Sequence, residues 1–303
     1  MFGRDRKELA ERIVQCLKEM SLVEAEKEVK DEIYEMGKRV DSLLTQEGKV
    51  KYDLEATQTF CCAVGDNNPI HRSKTYAKRM GFDDTIVPGT LLAGRAENLV
   101  TRLVLAVKEV FGQEFVIKKQ GTGFKNPVYH DTYVDWDLEV EKKDDSLVLS
   151  FECATKGEVK FTVDFSLGRA LEGKSSDLHG PIMAGRYCIT KEQLDAYCAS
   201  LGIEIGEHPY IPMNYVSSFV TSLLLEQSKA VDGMPTGLNL GTQYQFHRTA
   251  GLGDVHVDIF KKRDPRSGPL GYLYRFDAVC SQKHRDIVVG TIDVVAPKLL
   301  ENI

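Results

Sequence analysis

No stretch of this sequence approaches the roughly 18 consecutive apolar residues that a membrane-crossing helix needs. The first twenty residues (MFGRDRKELAERIVQCLKEM) alternate charge with apolar residues and gather no hydrophobic core of the kind a secretory signal has. Neither a membrane span nor an export signal is therefore expected. An excess of basic charge is also lacking: 39 Lys and Arg stand against 45 Asp and Glu, for a formal net charge of −6. Nucleic-acid binders usually carry the opposite balance, because cationic side chains replace the counterions of phosphate, so that class is set aside. The seven cysteines (Cys16, Cys61, Cys62, Cys153, Cys188, Cys198, Cys280) are odd in number and scattered. They show neither a disulfide framework nor metal-ligand spacing. A reduced, cytoplasmic chain without a metal is the expectation.

What is present is enough for two ordinary domains: 303 residues, 42% of them hydrophobic and 28% charged. Residues 4–44 read as helical, with Leu9, Ile13, Leu17 and Met20 and then Val29, Ile33, Met36, Val40 and Leu43 at three- and four-residue steps. So charged a helical pair is expected to pack against a domain or a partner chain. Residues 53–63 read as a further helix and 90–110 as a long one, striped by Leu92, Ala96, Leu99, Leu103 and Val107. Alternating runs rich in Val, Phe, Tyr and Thr follow at 117–124, 132–142, 146–155 and 158–167, with Asp144-Asp145 and Lys156-Gly157 as turns. Helix first and then consecutive strands favours an antiparallel sheet packed on one long helix over alternating βαβ units.

After a polar, turn-rich stretch (RALEGKSSDLHGP, 169–181) the plan repeats, with a short helix at 190–200, a long one at 213–229 and strands at 241–247, 254–261, 270–282 and 286–295. GTGF at Gly121 answers GTQYQF at Gly241, and VEKKDD at Val140 answers IFKKRD at Ile259, which suggests duplication of one domain. The halves differ between their short and long helices. The first has a long loop containing DNNPIH, whereas the second passes through GIEIGEHPYIP. The expected division is a helical extension (1–48), a first domain (49–170), a linker (171–186) and a second, degenerate domain (187–303).

The chemistry is concentrated in FCCAVGDNNPIHRSKTYAKRMGFDDTIVPGTLL, from Phe60 to Leu92. Asp66 is a base, His71 an acid or base, and Asn68 both donates and accepts hydrogen bonds. Pro69 stiffens the segment between them, and Gly65 lets the backbone leave a helix. Rigid spacing of Asp and His suits proton transfer at two neighbouring atoms. Pro88-Gly89 precedes the long apolar helix, where a free glycine amide and the helix dipole could meet an oxyanion. A polar turn without catalysis is the alternative for Asp-Asn-Pro alone.

Asp-x-Asn-Pro-x-His, then Ala77, Gly81-Phe82 and Ile-Val-x-Gly before a helix, resembles the signature of the MaoC-like (R)-specific enoyl-CoA hydratases and the wider hot dog dehydratases. The resemblance implies an α+β double hot dog, two antiparallel sheets each wrapped on a long central helix, with an N-terminal helical extension. It implies that Asp66 and His71 handle a water molecule, that Asn68 holds the site, and that the Gly89 amide meets the thioester carbonyl. Pro88, where many members have histidine, leaves that amide available. Pro88 and Thr90 are expected beside the substrate, and Arg72 and Lys74, with Lys78 and Arg79, either meet coenzyme A phosphates or form a solvated helix face. An acyl-CoA or acyl carrier protein thioester is the implied partner, a homodimer is compatible with the pattern, and no cofactor is called for. A non-catalytic acyl-thioester-binding subunit and a hot dog thioesterase are the rival readings.

Cys61 and Cys62, among Phe60, Ala63 and Val64, are expected to be buried and inert. The other six histidines lack metal-like spacing, and Trp136, alternating with Val134 and Leu138, is expected to pack. The second domain is expected to pair with the first as a pseudo-partner, lending residues near 211–219 to the acyl-binding wall.

Overall fold

The computed structural model describes residues 6–17, 19, 50–111, 115–143, 146–169, 171, 176–202, 211–228, 238–268 and 271–296. Helix α1 (Arg6–Leu17) buries Leu9, Ala10, Ile13 and Val14, and it lies against strand β3 (Tyr133–Lys143). The apolar repeat expected at Val29 to Leu43 lies outside the described residues. Strand β1 (Val50–Lys51) leads into helix α2 (Leu54–Val64), which starts where Asp53 Oδ1 accepts the Ala56 N–H at 2.7 Å. It stops at Gly65, whose φ of 73° is a left-handed conformation that glycine adopts without strain. A 3₁₀ turn (Pro69–His71) and the short helix α3 (Lys74–Arg79) break up what reads in sequence as a loop.

Helix α4 (Gly89–Phe111) buries all five residues of its expected stripe, Leu92, Ala96, Leu99, Leu103 and Val107. Strands β2 (Val116–Phe124), β3, β4 (Ser146–Thr155) and β5 (Glu158–Gly168) follow, and the last three alternate in burial as period-two strands do. The second half repeats this order: β6 (Met183–Ile189), α5 (Lys191–Ser200), α6 (Met213–Ser228), β7 (Leu238–Phe246), β8 (Gly253–Gly268), β9 (Gly271–Gln282) and β10 (Arg285–Ala296). Lys156-Gly157 and Lys283-His284 turn the matching β4–β5 and β9–β10 hairpins, all four with positive φ, as two-residue hairpins demand.

The fold is a double hot dog. Its strands form one ten-stranded antiparallel sheet in the order β1-β3-β4-β5-β2-β7-β10-β9-β8-β6, a sequence that reads the same from either end once the halves are matched. The two five-stranded halves join where β2 pairs with β7, with Thr122 opposite Thr242. Their hydroxyls lie 2.7 Å apart, so the motif repeated in the two halves meets its own copy at the seam. Strands β1 and β6 are short or unmarked edge strands with no signal in the sequence reading, and Met183–Arg186, read as linker, belong to β6. Each pairs with the first strand of the hairpin series in its half.

The seam requires glycine at position 241, where a Cβ would stand 2.7 Å from the Thr122 carbonyl oxygen, an atom of the backbone that cannot rotate away. Gly241→Ala is expected to cost about 1–3 kcal/mol through overpacking. Differential scanning calorimetry should show it as a lowered Tm.

Candidate active site

The residues singled out in sequence are built into one buried corner. Helix α2 ends at Gly65, and the chain then folds back on itself: the Asp66 N–H donates to Cys61 O at 2.9 Å. Asp66 Oδ1 accepts the Asn68 N–H at 2.9 Å, and Asn68 Oδ1 caps the 3₁₀ turn by accepting the Ile70 N–H at 3.2 Å. These two side-chain-to-backbone bonds, with Pro69 at the start of the turn, make the segment rigid. Asn68 Oδ1 is thus committed to the turn.

His71 is set by its far nitrogen. Nδ1 lies 2.8 Å from Ile86 O, and a carbonyl can only accept, so Nδ1 carries a proton. A neutral ring then presents a lone pair at Nε2, and that atom faces Asp66 Oδ2 across 3.6 Å. Two acceptors confront each other over a gap too long for a direct hydrogen bond. Asp66, Asn68 and His71 are only 4%, 8% and 8% exposed, so the pair sits in a medium where each unmet acceptor is costly.

The segment that holds His71 is itself held. Ile86 N donates to Ile70 O at 3.3 Å and Val87 N to Val128 O at 2.8 Å. The ring of His130 bridges Thr85 Oγ1 and Thr57 Oγ1, each at 2.9 Å. Burial, and then the neighbouring His71, hold His130 below the usual imidazole range. His130 is one of the histidines without metal-like spacing, and its structural role depends on two threonines far from it along the chain.

Asp66, Asn68, His71, Pro88, Gly89 and Thr90 all line one cavity of about 250 Å³. Gly89 opens helix α4, so its N–H has no acceptor within the helix and lies at the positive end of the helix dipole. The remaining wall is largely apolar, including Phe82, Leu92, Phe124 and Phe161. The second half closes it with Thr221, Leu225, Leu238, Asn239 and Leu240, so the cavity lies between the halves. Of the expected second-half segment near 211–219, no residue lines this cavity. Ser217 lines a smaller space adjoining it, and the Ser218 hydroxyl donates to Asn214 O at 2.6 Å. Thr221 and Leu225, further along α6, take their place.

Arg72 and Lys74 are not brought to the cavity. Both are exposed, and Lys74 Nζ pairs with Asp84 Oδ2 at 2.5 Å. The cations that do line it are Lys125 and Lys160, the latter paired with Glu158 at 2.7 Å. Lys125 lies just past the end of β2 and Lys160 near the start of β5, and only the folded sheet brings them to the site. Cys61 is buried, and burial pushes its thiol up, but Cys62 is exposed: the residues alternate around α2, and one faces solvent. Trp136 is buried edge-on against Phe151 and Phe161, a packing role. Among the described residues no three His, Cys, Asp or Glu side chains gather as a metal site would require, and no helix is long and apolar enough to cross a membrane.

Residues 35–159 match the family model of the MaoC like domain, and the whole Asp66–Gly89 constellation falls inside that span. Over those residues the chain is similar to a MaoC like domain. Solved structures share its fold over most of both chains. A MaoC domain protein dehydratase from Chloroflexus aurantiacus matches with a TM-score of 0.62 at 8% identity, covering 83% of this chain and 93% of the other. A conserved Mycobacterium tuberculosis protein with a double hotdog fold gives 0.57 at 8% identity, over 82% and 94%. A 12:0-ACP thioesterase from Umbellularia californica gives 0.52 at 7% identity, over 70% and 88%. At such identities the likeness is one of fold alone. No curated protein matches the sequence. The matched segment contains the Asp-His pair and the glycine amide, and the second half supplies the far wall of the cavity.

Proposed function

We propose that this protein adds water reversibly across the 2,3 double bond of a trans-2-enoyl thioester, giving a 3-hydroxyacyl thioester. The observation that carries the reading is the facing pair. His71, pinned through Nδ1, and Asp66 present two acceptors 3.6 Å apart inside a cavity that reaches the Gly89 amide. A water held between them donates one hydrogen to each, which turns its lone pairs toward the substrate. Its oxygen bonds to C3 as one proton passes to the pair. The C2–C3 π electrons move toward the thioester, and its oxygen meets the Gly89 N–H and the α4 dipole. The pair then returns a proton to C2. An imidazolium formed at His71 would lie against the Asp66 carboxylate, which stabilises it. The MaoC-like likeness supports the (R) configuration at C3. Coenzyme A or an acyl carrier protein would bear the acyl group, with Lys125 placed to meet phosphate where the cavity opens.

The test is loss of enoyl absorbance on both carriers, with a stereospecific dehydrogenase reporting product configuration and a thiol reagent present. Consumption of enoyl without free thiol is the expected result. Thiol release would instead make the protein a thioesterase, and tight binding with neither change would make it a non-catalytic binding subunit.

Gly89→Ala probes the oxyanion side. A Cβ there would fall 1.8 Å from Phe124 Cε1, so the ring must swing from its stacked place on Phe161 into the cavity. Turnover is expected to fall about tenfold to a hundredfold. Adding Phe124→Leu should recover part of the loss in steady-state rates if displacement of the ring, and not loss of the amide, is the cause.

A further inference from the structure

The cavity does not end on an apolar wall. It shares Thr90, Phe124 and Thr221 with a small space between α4, α6 and the seam strands β2 and β7, and most of the residues lining that space carry a polar group. Several of these are satisfied by one another. Gln120 Nε2 donates to Asn214 Oδ1 at 3.1 Å, and Asn214 Nδ2 donates to Thr90 O at 2.8 Å and Tyr197 Oη at 3.1 Å. Thr122 and Thr242 bond each other, and the Ser217 hydroxyl donates to Asn214 O at 3.2 Å. Around this space, three buried atoms have no partner among the described residues: Gln120 Oε1, Thr221 Oγ1 and the Tyr244 hydroxyl. Gln120 and Tyr244 are 2% and 5% exposed, and buried polar atoms are ordinarily paired. All three belong to residues that line this one space.

The unmet set has a definite complement. Gln120 Oε1 only accepts, and the two hydroxyls can donate or accept. A group that gives one hydrogen and receives others satisfies them, and a hydroxyl is such a group. Among the described residues no Lys, Arg or His lines the space, which disfavours a carboxylate, and an ammonium would be buried with no counter-ion in that lining. The room is about 10 Å³, close to what a single water-sized group fills and too little for a run of methylenes.

Resting on the hydratase reading above, we propose that the substrate's acyl group is short and carries a hydroxyl beyond the double bond, which docks in this niche against Gln120, Thr221 and Tyr244. The protein is then a hydratase of hydroxylated enoyl thioesters and not of long aliphatic ones. Selectivity comes from the penalty of leaving the three polar atoms unpaired when a methyl group arrives in place of the hydroxyl.

The experiment uses pairs of 2-enoyl thioesters of equal, short chain length that end in either methyl or hydroxyl. It compares kcat/KM within each pair and, by isothermal titration, the binding of the corresponding saturated, unreactive thioesters. At the length that reaches the niche, the hydroxylated member should be preferred by about tenfold or more in both measurements. Thr221→Val and Tyr244→Phe should each remove most of that preference. Because neither hydroxyl has a partner among the described residues, both variants should keep the wild-type Tm or exceed it, whereas a structural role would lower it. Equal hydration and equal binding within every pair would overturn the niche while leaving the hydratase standing. Absence of hydration, with selective binding of the hydroxylated saturated thioester that the variants lose, would uphold the niche and overturn the hydratase. Loss of neither preference in the variants would place the selectivity elsewhere and overturn the assignment.

Discussion

Asp66→Asn is expected to fold as the wild type does and to hydrate enoyl thioesters roughly 10²–10⁴ times more slowly, the usual size of a lost proton-transfer group. The shape is conserved, and an amide oxygen at the Oδ1 position can still accept the Asn68 N–H that braces the turn. What changes is the atom facing His71. An NH₂ at the Oδ2 position would donate straight toward the Nε2 lone pair, occupying the acceptor that the water needs and removing the negative charge that an imidazolium would rest on. His71→Ala should lose a similar factor. The double variant should be little worse than either single one, because two groups acting on one water are strongly non-additive. Single-turnover rates on a common substrate, with circular dichroism as the check on folding, decide the matter. Near-wild-type turnover in folded Asp66→Asn would sink the assignment, and losses that simply multiply would mean that the pair does not share a water.

The largest effect on stability is expected at Glu97. This residue projects from α4 and is fully buried, and its carboxylate accepts the backbone N–H groups of Met213 at 2.7 Å and Asn214 at 2.9 Å. It caps the first turn of α6 from the other half of the molecule, where helical N–H groups have no acceptor of their own. Glu97→Ala would leave both groups unpaired in the interior and open a cavity. The two losses together amount to about 3–5 kcal/mol, enough to threaten a marginally stable chain. Glu97→Gln keeps one acceptor and should cost less.

Glu97 also ties stability to pH. Burial raises its carboxyl from an ordinary 4.5 to about 7, against the opposing pull of the two N–H groups. The folded state therefore holds the proton more tightly than the unfolded chain, so the sign is opposite to that of a salt-bridged acid. Its contribution is fully present below pH 4.5 and is lost as pH rises through about 7. Denaturant titrations across that window should show wild-type stability falling relative to Glu97→Gln as pH rises. A parallel pH dependence in the two proteins would mean that Glu97 keeps its charge state throughout.

The residues of the facing pair were legible because their signal is local. Asp66, Asn68, Pro69 and His71 lie within six positions, and the turn that holds them is made of bonds two residues long. The stripe of α4 and the alternation of β3, β4 and β5 were legible for the same reason: helices and strands repeat at fixed periods, and one buried face leaves a regular trace. Strands β1 and β6 left none. A two-residue strand is too short to alternate, and MAGRYCI owes its place to pairing with β8 and not to its own composition. Arg72 and Lys74 are close to the pair along the chain but lie outside the cavity lining. The cavity instead gathers Lys125 and Lys160 from the sheet, on the far side of a long helix.

The sequence by itself therefore determined the duplicated plan, the two long helices and the turn that sets Asp66 against His71, since each depends on neighbours a few bonds away. The tertiary structure alone decided that two five-stranded sheets become one through β2 and β7, that Glu97 of one half caps the helix of the other, and that Thr221, Leu225 and Tyr244 stand around the cavity and the small space adjoining it. Those contacts join residues more than a hundred positions apart. Their energy comes from desolvation and hydrogen bonding between surfaces that exist only once both halves have folded, so no periodicity or spacing along the chain records them.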